Sequence, residues 1–460
     1  MRILLVQTYL GRREDFFVYP IGLASIATVA MLKGHEIEIV DPNVYAHPHR
    51  ELRERILRFS PSVVGISLRN IDSQLRIAPF YYYKALQRML ATIKETCDDA
   101  KVVIGGPGFS MFPEKIMDRH PLIDYGIYLE GEESFPELLD NLDNPGSVSG
   151  IYFRKGSEVV FSGYRPLPDF KKLPFPQRDF SELTPYMNNI QSIGVQTKRG
   201  CPHKCLYCNY PQLNGGRIRI RDTESVCDEI EYLVKEFKVT HFMFADAIFN
   251  EPREHAENIC NEIIKRGLKV NWSAYMGIKG ATKDFLQLAM KAGCRDVAFS
   301  PDGVSQNALD SLRKGLKEKE VLDNLHLLTS DSDLKRLNVI YSVFINPPEE
   351  TFRGLIKTLA FYVKARMSLR GRGMAFLNWI RLEPGTAALH HAIKEGVVPE
   401  GLDLLPEYES DLKRTFYSHP RLRHLDLLLI SMMKSLRLLK VILRKLKIKK
   451  LIGLLGNSTG

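Results

Sequence analysis

Short apolar runs alternate with amphipathic stretches twice along this chain, and that rhythm leaves few folds open. The first series runs from Ile3–Val6 through Gly22–Lys33, Glu36–Val40, Leu52–Phe59, Val63–Ser67, Tyr83–Glu95 and Lys101–Gly106, and closes on Tyr125–Leu129. Buried strands separated by helix-length segments predict parallel pairing with crossover helices, a doubly wound α/β sheet. The second series begins near Ile193 and places six strand candidates at Val195, His241–Ala245, Val270–Ala274, Asp296–Phe299, Asn338–Phe344 and Gly373–Asn378. Helices between them predict a partial (β/α)6 barrel with its site at the strand carboxyl ends.

Between the two series, residues 142–188 are rich in Pro, Gly and Ser. Repeated prolines forbid a helix there and bias the preceding residues toward extended backbone. A short hairpin is expected at Gly150–Phe153 and Glu158–Phe161. The expected organisation is therefore 1–141 as a first α/β domain, 142–188 as a linker, 189–400 as the barrel and 401–460 as a mostly helical, basic C-terminal region.

The chain has 460 residues, 44% of them hydrophobic, which suffices for more than one buried core. Its formal charge of +10 suggests nucleic acid until the charge is located. Residues 421–450 hold ten Lys and Arg against one acid, Asp426, so the basicity describes a tail. Aromatic interleaving of the kind that stacks bases is absent from that tail, and nucleic acid is not an expected partner. Met1 to Thr8 reads directly as a buried strand and not as a leader, and seven cysteines show no disulfide rhythm. The expected location is cytoplasmic, with peripheral contact on the inner face of the membrane as a possibility carried by the tail.

Three of the cysteines, Cys201, Cys205 and Cys208, fall at C-x3-C-x2-C spacing. Thiolates so spaced fold around one corner of a [4Fe–4S] cluster and leave its fourth iron without a protein ligand. A closed zinc site would want a fourth Cys or His, and His203 within the loop points away from that geometry more easily than toward it. Cys97, Cys227, Cys260 and Cys294 lack motif spacing and read as small buried hydrophobes.

Polar and glycine residues gather at predicted strand ends. In the first series these are Gly65, Ser67 and Asn70, then Gly105 and Gly106, then Gly131 and Glu132. Glycine after a strand lets backbone approach a large ligand. In the second series they are Asp246, Ser300, Asp302, Asn346 and Asn378, each of which could instead cap a helix or form an Asx turn.

With Arg199-Gly200 before the cysteines and Tyr207 just before the last, the loop resembles that of the radical S-adenosylmethionine superfamily. Residues 1–141, with Tyr19-Pro20-Ile21-Gly22, Gly105-Gly106-Pro107 and Gly131-Glu132-Glu133, resemble the cobalamin-binding domain of its cobalamin-dependent branch. Phe344–Thr351 and Arg381–Thr386 are similar to turns of that family. The resemblance implies a Rossmann-like cobalamin-binding domain followed by a TIM-type radical barrel. It implies three cofactors: the cluster on Cys201, Cys205 and Cys208, S-adenosylmethionine, and cobalamin. Tyr207, Asp246, Ser300, Asp302, Asn346 and Asn378 would then lie about S-adenosylmethionine, and the first-domain loop residues about cobalamin. Two departures stand out. The loop Thr8–Arg13 has no histidine to ligate cobalt, and Asp118-Arg119-His120 follows the wrong strand and reads as a helix-to-strand connection. Ser300-Pro301-Asp302-Gly303 displaces the acid that the family's Gly-x-Glu-Ser run carries.

The activity so implied is methylation of an unactivated carbon through methylcobalamin and a 5′-deoxyadenosyl radical. Radical oxidative cyclisation or ring rearrangement without methyl transfer is the enzymatic alternative, and a cobalamin-binding sensor or carrier with a structural cluster the non-enzymatic one. The implied partners are a small-molecule or lipid-like substrate and a reductant such as flavodoxin or ferredoxin. Leu425, Leu429, Met432, Leu436, Leu439, Leu443 and Leu446 form one helical stripe, with Lys434, Arg437, Lys440, Arg444 and Lys447 largely off it. Such a helix docks on the barrel or rests on an anionic bilayer; it does not span one.

Overall fold

The computed structural model describes residues 1–9 and 17–445, with side chains described as far as residue 435. The first sheet contains β1 (Arg2–Gln7), β2 (Glu36–Val40), β3 (Val63–Ser67), β4 (Lys101–Gly105), β5 (Tyr125–Ile127), β6 (Ile151–Lys155) and β7 (Glu158–Phe161), in the spatial order β2-β1-β3-β4-β5-β6-β7. The first five strands pair in parallel, and Ile3↔Val63 to Gln7↔Ser67 brings the ends of β1 and β3 level. Ile3 to Val6 are buried because helices cover both faces. Leu23, Ala24 and Ala27 of helix Ile21–Leu32 pack with Ile3 and Leu5 on one side, while Leu52, Ile56, Leu86 and Met89 pack with Leu4 and Val6 on the other.

The hairpin β6–β7 corrects the expected boundary at residue 141. It pairs antiparallel with β5 through Ile127↔Ile151, so the first sheet extends to Phe161. Without it β5 would be an open edge, and Tyr152 stacked on Phe161 at 4.6 Å closes that side. The rest of the Pro-rich segment is pinned and not loose. Arg178, fully buried, donates to Glu229 at 2.7 Å and to the Gly194 carbonyl at 3.1 Å, while Arg221 holds the other Glu229 oxygen at 2.6 Å. Tyr186 donates to Asp41 at 2.8 Å, which ties the same segment to the first domain.

The second sheet follows the expected order. It comprises β8 (Gly194–Val195), then, after a small antiparallel pair β9 (Lys198–Arg199) and β10 (Arg219–Ile220), the strands β11 (His241–Phe244), β12 (Asn271–Met276), β13 (Cys294–Asp302), β14 (Asn338–Phe344) and β15 (Gly373–Asn378). All six main strands are parallel neighbours in the order β8-β11-β12-β13-β14-β15, a partial barrel. Its core centres on Trp272, fully buried against Phe244 and Phe249, with ring centroids 5.0 Å away from each.

The C-terminal region becomes continuously helical only from Arg423 to Lys445; residues 401–422 run in loops and short 3-10 turns. Those loops grip the first domain. Asp403 pairs with Lys115 at 2.5 Å and Arg119 at 3.1 Å, and Tyr81 donates to the Pro406 carbonyl at 2.5 Å. The helix start docks on the barrel, as Leu425, Leu429, Ile430 and Met433 pack around Ile345, Leu355, Trp379 and Phe416. Met432, expected on the apolar stripe, is instead 53% exposed, because the docked face turns through Ile430 and Met433. Leu436, Arg437, Leu439, Lys440, Leu443, Arg444, Leu446 and Lys447 lie outside the residues whose side chains are described, as the histidine-free loop lies outside the described backbone from residue 10 on. Among the described residues no helix is long and apolar enough to cross a membrane.

Asp426 fixes the docked helix. It is fully buried and accepts from Asn346 Nδ2 at 2.7 Å and Trp379 Nε1 at 3.1 Å, with Arg76 at 4.0 Å. Asp426→Ala strands the Asn346 and Trp379 donors in a dry site and removes the charge facing Arg76, and we expect a loss of about 2–3 kcal/mol in chemical denaturation together with faster proteolysis within the helix.

Candidate active site at the domain interface

The cysteine loop leaves β9 and returns at β10. Gly200 opens it at φ +87°, where a Cβ would sit 2.0 Å from the Arg217 carbonyl oxygen, so only glycine fits. The loop is closed by Cys201 N–H to the Gly215 carbonyl at 3.0 Å and seated by Leu206 N–H on the Leu312 carbonyl at 3.0 Å. Burial raises all three thiols, Cys208 to about 11; backbone N–H groups of His203 and Tyr210 and the ammonium of Lys314 work against that rise. Buried thiols that share one cation and loop N–H donors suit a bound group that replaces their protons. His203 Nε2 is engaged by Glu251 at 2.8 Å. The donor set fits a cluster held by three cysteines.

Lys314 is the site residue that the sequence did not disclose. It follows a short helix in an unremarkable Arg313-Lys314-Gly315 turn, and only the fold brings it to the cysteines. Its ammonium donates to Asp302 Oδ2 at 2.8 Å, and Tyr207 donates to the same oxygen. Asp302 and Tyr207 are thus brought together beside the cluster loop, with Tyr207 edge-on to Phe344 at 4.8 Å.

The other expected S-adenosylmethionine contacts divide. Asp246 is buried and its four acceptor positions are taken: Oδ1 by the N–H of Thr197 and Lys198 at 2.9 and 3.3 Å, Oδ2 by Thr197 Oγ1 and Lys198 Nζ at 2.6 and 3.1 Å. It anchors the strand that leads into the cysteine loop, and no acceptor position is left for a ribose hydroxyl. Asn346, left-handed at φ +49°, spends its amide N–H on Asp426, which draws it to the C-terminal helix. Ser300 and Asn378 are half-buried at the ends of β13 and β15, and Asn378 Nδ2 reaches Ser342 at 3.4 Å.

On the first domain, Gly65 is not at a ligand edge. It lies inside β3, where a Cβ would meet Leu5 at 2.6 Å, so its role is packing. Gly106, at φ +96°, would meet the Leu68 carbonyl at 2.9 Å and lets two strand-end loops touch. Gly105 ends β4, Ser67 is half-buried at the end of β3, and Asn70 is exposed just beyond it. Gly131 and Glu132 are buried. Glu132, expected about cobalamin, forms an ion pair across the domains: it binds Arg199 at 2.7 Å, and Glu130 binds Arg199 at 3.0 Å and also Arg219. Burial alone would raise Glu132, but Arg199 overrides it and holds the carboxyl below its usual range. Phe170 lies under the Arg199 guanidinium at 4.5 Å. His120 hydrogen-bonds Tyr83 at 2.9 Å at the end of helix Pro113–Arg119, as a helix-to-strand connection should.

A cavity of about 170 Å³ opens where the loop after β3 meets the loop after β15, between Asn70, Asp72, Gln74, Met111 and Glu383. Arg381 of the barrel crosses to Asp72 of the first domain, with bonds of 3.0 and 2.9 Å. Glu383, 5% exposed, is pushed up to about 7 by burial, which Arg381 only partly offsets. A raised carboxyl contributes stability that is present below its unfolded value near 4.5 and lost as pH rises through about 7. Glu383→Gln should therefore gain about 3 kcal/mol on the parent between pH 4.5 and 8, read from urea denaturation at each pH.

Comparison with known proteins agrees with this layout. The B12 binding domain family matches residues 11–139 and the Radical SAM superfamily residues 195–359. An uncharacterised methyltransferase of Pyrococcus horikoshii is 26% identical over 350 residues, covering 75% of this chain and 73% of its own. The anaerobic magnesium-protoporphyrin IX monomethyl ester cyclase of Rubrivivax gelatinosus is 31% identical over 314 residues, 63% of this chain, which spans little more than half (53%) of that relative. The radical S-adenosylmethionine methyltransferase TsrM of Kitasatospora setae, solved with cobalamin and a [4Fe–4S] cluster, shares the fold at a TM-score of 0.73 and 22% identity, covering 86% of this chain and 78% of its own. Two matched families in this order, on a first sheet and a barrel built as described, settle the affiliation: the chain belongs to the superfamily of cobalamin-dependent radical S-adenosylmethionine enzymes.

Proposed function

We propose that the protein is a methyltransferase that places a methyl group on an unactivated carbon of a small molecule. The observation that carries this reading is the joint between its two halves. Arg199, two residues before Cys201, is locked to Glu130 and Glu132 at the end of β5, so the cysteine loop and the ligand edge of the first sheet share one cleft. When bound, the cluster and cobalamin supply electron transfer to S-adenosylmethionine and a methyl carrier respectively.

The chain's own residues position these groups. Cys201, Cys205 and Cys208 hold the cluster, and Lys314 places a positive charge over their sulfurs. Asp302 and Tyr207 hold Lys314, which keeps that charge at the site. Ser300 and Asn378, at neighbouring strand ends, offer hydrogen bonds to S-adenosylmethionine, while Ser67, Asn70 and Gly105 border the cobalamin edge. A reductant of the flavodoxin or ferredoxin class completes the requirement for electrons. The outer face of the C-terminal helix, with Leu427, Leu428 and Lys434 exposed, supports peripheral contact with an anionic membrane, which vesicle co-sedimentation checks.

The test is reconstituted enzyme with reductant, methyl-labelled S-adenosylmethionine and a panel of small acceptors that includes tryptophan, the substrate bound to the TsrM relative. Label on a carbon of an acceptor supports the reading. Oxidative cyclisation is the second reading, favoured by the cyclase relative at 31% identity; it predicts 5′-deoxyadenosine from the panel with all label retained on S-adenosylmethionine and its methionine product.

A further inference from the structure

We propose that Glu383, a residue of the barrel, accepts a hydrogen bond from a corrin carboxamide of the cobalamin carried by the first domain. This rests on the cobalamin-dependent reading above and adds a contact from the opposite side of the cleft.

The cavity of about 170 Å³ supplies the place. Its walls come almost entirely from first-domain loops that follow β3 and β4, the carboxyl ends where such a sheet takes its ligand. Glu383 alone enters from the barrel. Its Oε1 accepts from Gln74 Nε2 at 3.1 Å, whereas Oε2, also buried, has no hydrogen bond at all. The nearest cation to Oε2 is Arg381 Nη1, at 3.5 Å and outside hydrogen-bond reach. Arg381 is spent elsewhere: Nε and Nη2 bind Asp72, and Nη2 also donates to the Leu404 carbonyl at 2.8 Å. Asp72 in turn uses its other oxygen for the Gln74 N–H at 2.7 Å. A buried carboxylate oxygen without a donor is costly, and such atoms in folded proteins mark a missing partner.

The charges around it restrict that partner. Arg381 and Asp72 cancel one another, so an ionised Glu383 leaves the group with one net negative charge and a neutral one leaves it uncharged. A carboxylate or phosphate ligand is repelled by the ionised form, which has no donor to offer it. The ionised form accepts an N–H donor at Oε2 and the neutral acid does so only weakly, and primary carboxamides ring the corrin edge of cobalamin. Each supplies N–H donors without importing charge, and one side chain of that kind fits a cavity too small for a whole corrin. An amine on the substrate offers the same donor, and the experiment separates the two sources.

Hydroxocobalamin is titrated into the full chain and into its Glu383→Ala and Glu383→Gln variants, with binding read from the cobalamin spectrum and by equilibrium dialysis. Loss of a hydrogen bond to a charged acceptor should weaken binding of Glu383→Ala about tenfold or more at pH 8. Glu383→Gln keeps a neutral acceptor and the side-chain shape, so it should bind with intermediate affinity. Burial puts the Glu383 carboxyl near 7. Parent affinity should therefore rise from pH 6 to 8 as the stronger, ionised acceptor forms, and the Gln variant should lack that rise. A parent that binds while both variants match it at both pH values overturns this inference alone and leaves Oε2 to another donor, a water or an amine of the substrate. A parent that does not bind hydroxocobalamin overturns both this inference and the cobalamin-dependent reading.

Discussion

Replacing Cys201, Cys205 and Cys208 together by alanine should abolish iron–sulfur reconstitution and reduce 5′-deoxyadenosine formation to background, while the fold survives. The sulfurs are half-buried in a loop whose shape is held by other bonds: Cys201 N–H to Gly215, Leu206 N–H to Leu312, and the glycine turn at Gly200. None of these uses a thiol. Small side chains at the three positions therefore remove the ligands and leave the scaffold. Burial without metal favours neutral thiols, Cys208 up to about 11, so the apoprotein gives up little when they are lost. Anaerobic reconstitution followed by visible absorption and iron counting checks the first half, and circular dichroism of the apoprotein the second. A triple variant that still cleaves S-adenosylmethionine would place the cluster elsewhere.

The second large effect concerns the joint. Arg199→Met should destabilise the protein by about 3–5 kcal/mol, because two buried carboxylates, Glu130 and Glu132, lose their shared cation. Arg219 still reaches Glu130, so Glu132 bears most of the loss. The triple change Arg199→Met, Glu130→Gln, Glu132→Gln removes the stranded charges and should recover part of that stability. Urea denaturation of the two variants measures both. If Arg199→Met is as stable as the parent, the ion group does not fasten the two halves.

Regular architecture was legible in the sequence because burial on both faces leaves a strong mark. Ile3–Val6 could hardly be anything but an inner parallel strand, and it is; Asn338–Phe344, fully buried at every second residue, is an inner strand of the barrel. The hairpin at residues 151–161 was legible as a hairpin, yet its membership in the first sheet depends on the free edge of β5, a non-local fact. The candidate cluster cysteines stood out because their spacing is local. Side chains at strand ends were not, since an acid there looks the same whether it awaits a ligand or has already met a lysine. Asp246 met Lys198, Glu132 met Arg199 and Asn346 met Asp426, partners 48, 67 and 80 residues away in sequence. Lys314 escaped for the converse reason: nothing local marks it, and its role arises only from what the fold sets beside it; Glu383 lay inside the family-like turn Arg381–Thr386 without being singled out.

The most direct test of the account is the fate of the methyl group on the protein itself. The full chain is reconstituted anaerobically with iron, sulfide and hydroxocobalamin, reduced, and given methyl-labelled S-adenosylmethionine; its cobalamin is then extracted and weighed. The account predicts labelled methyl on the extracted cobalamin. Cobalamin that binds and stays unlabelled while 5′-deoxyadenosine accumulates would contradict methyl transfer.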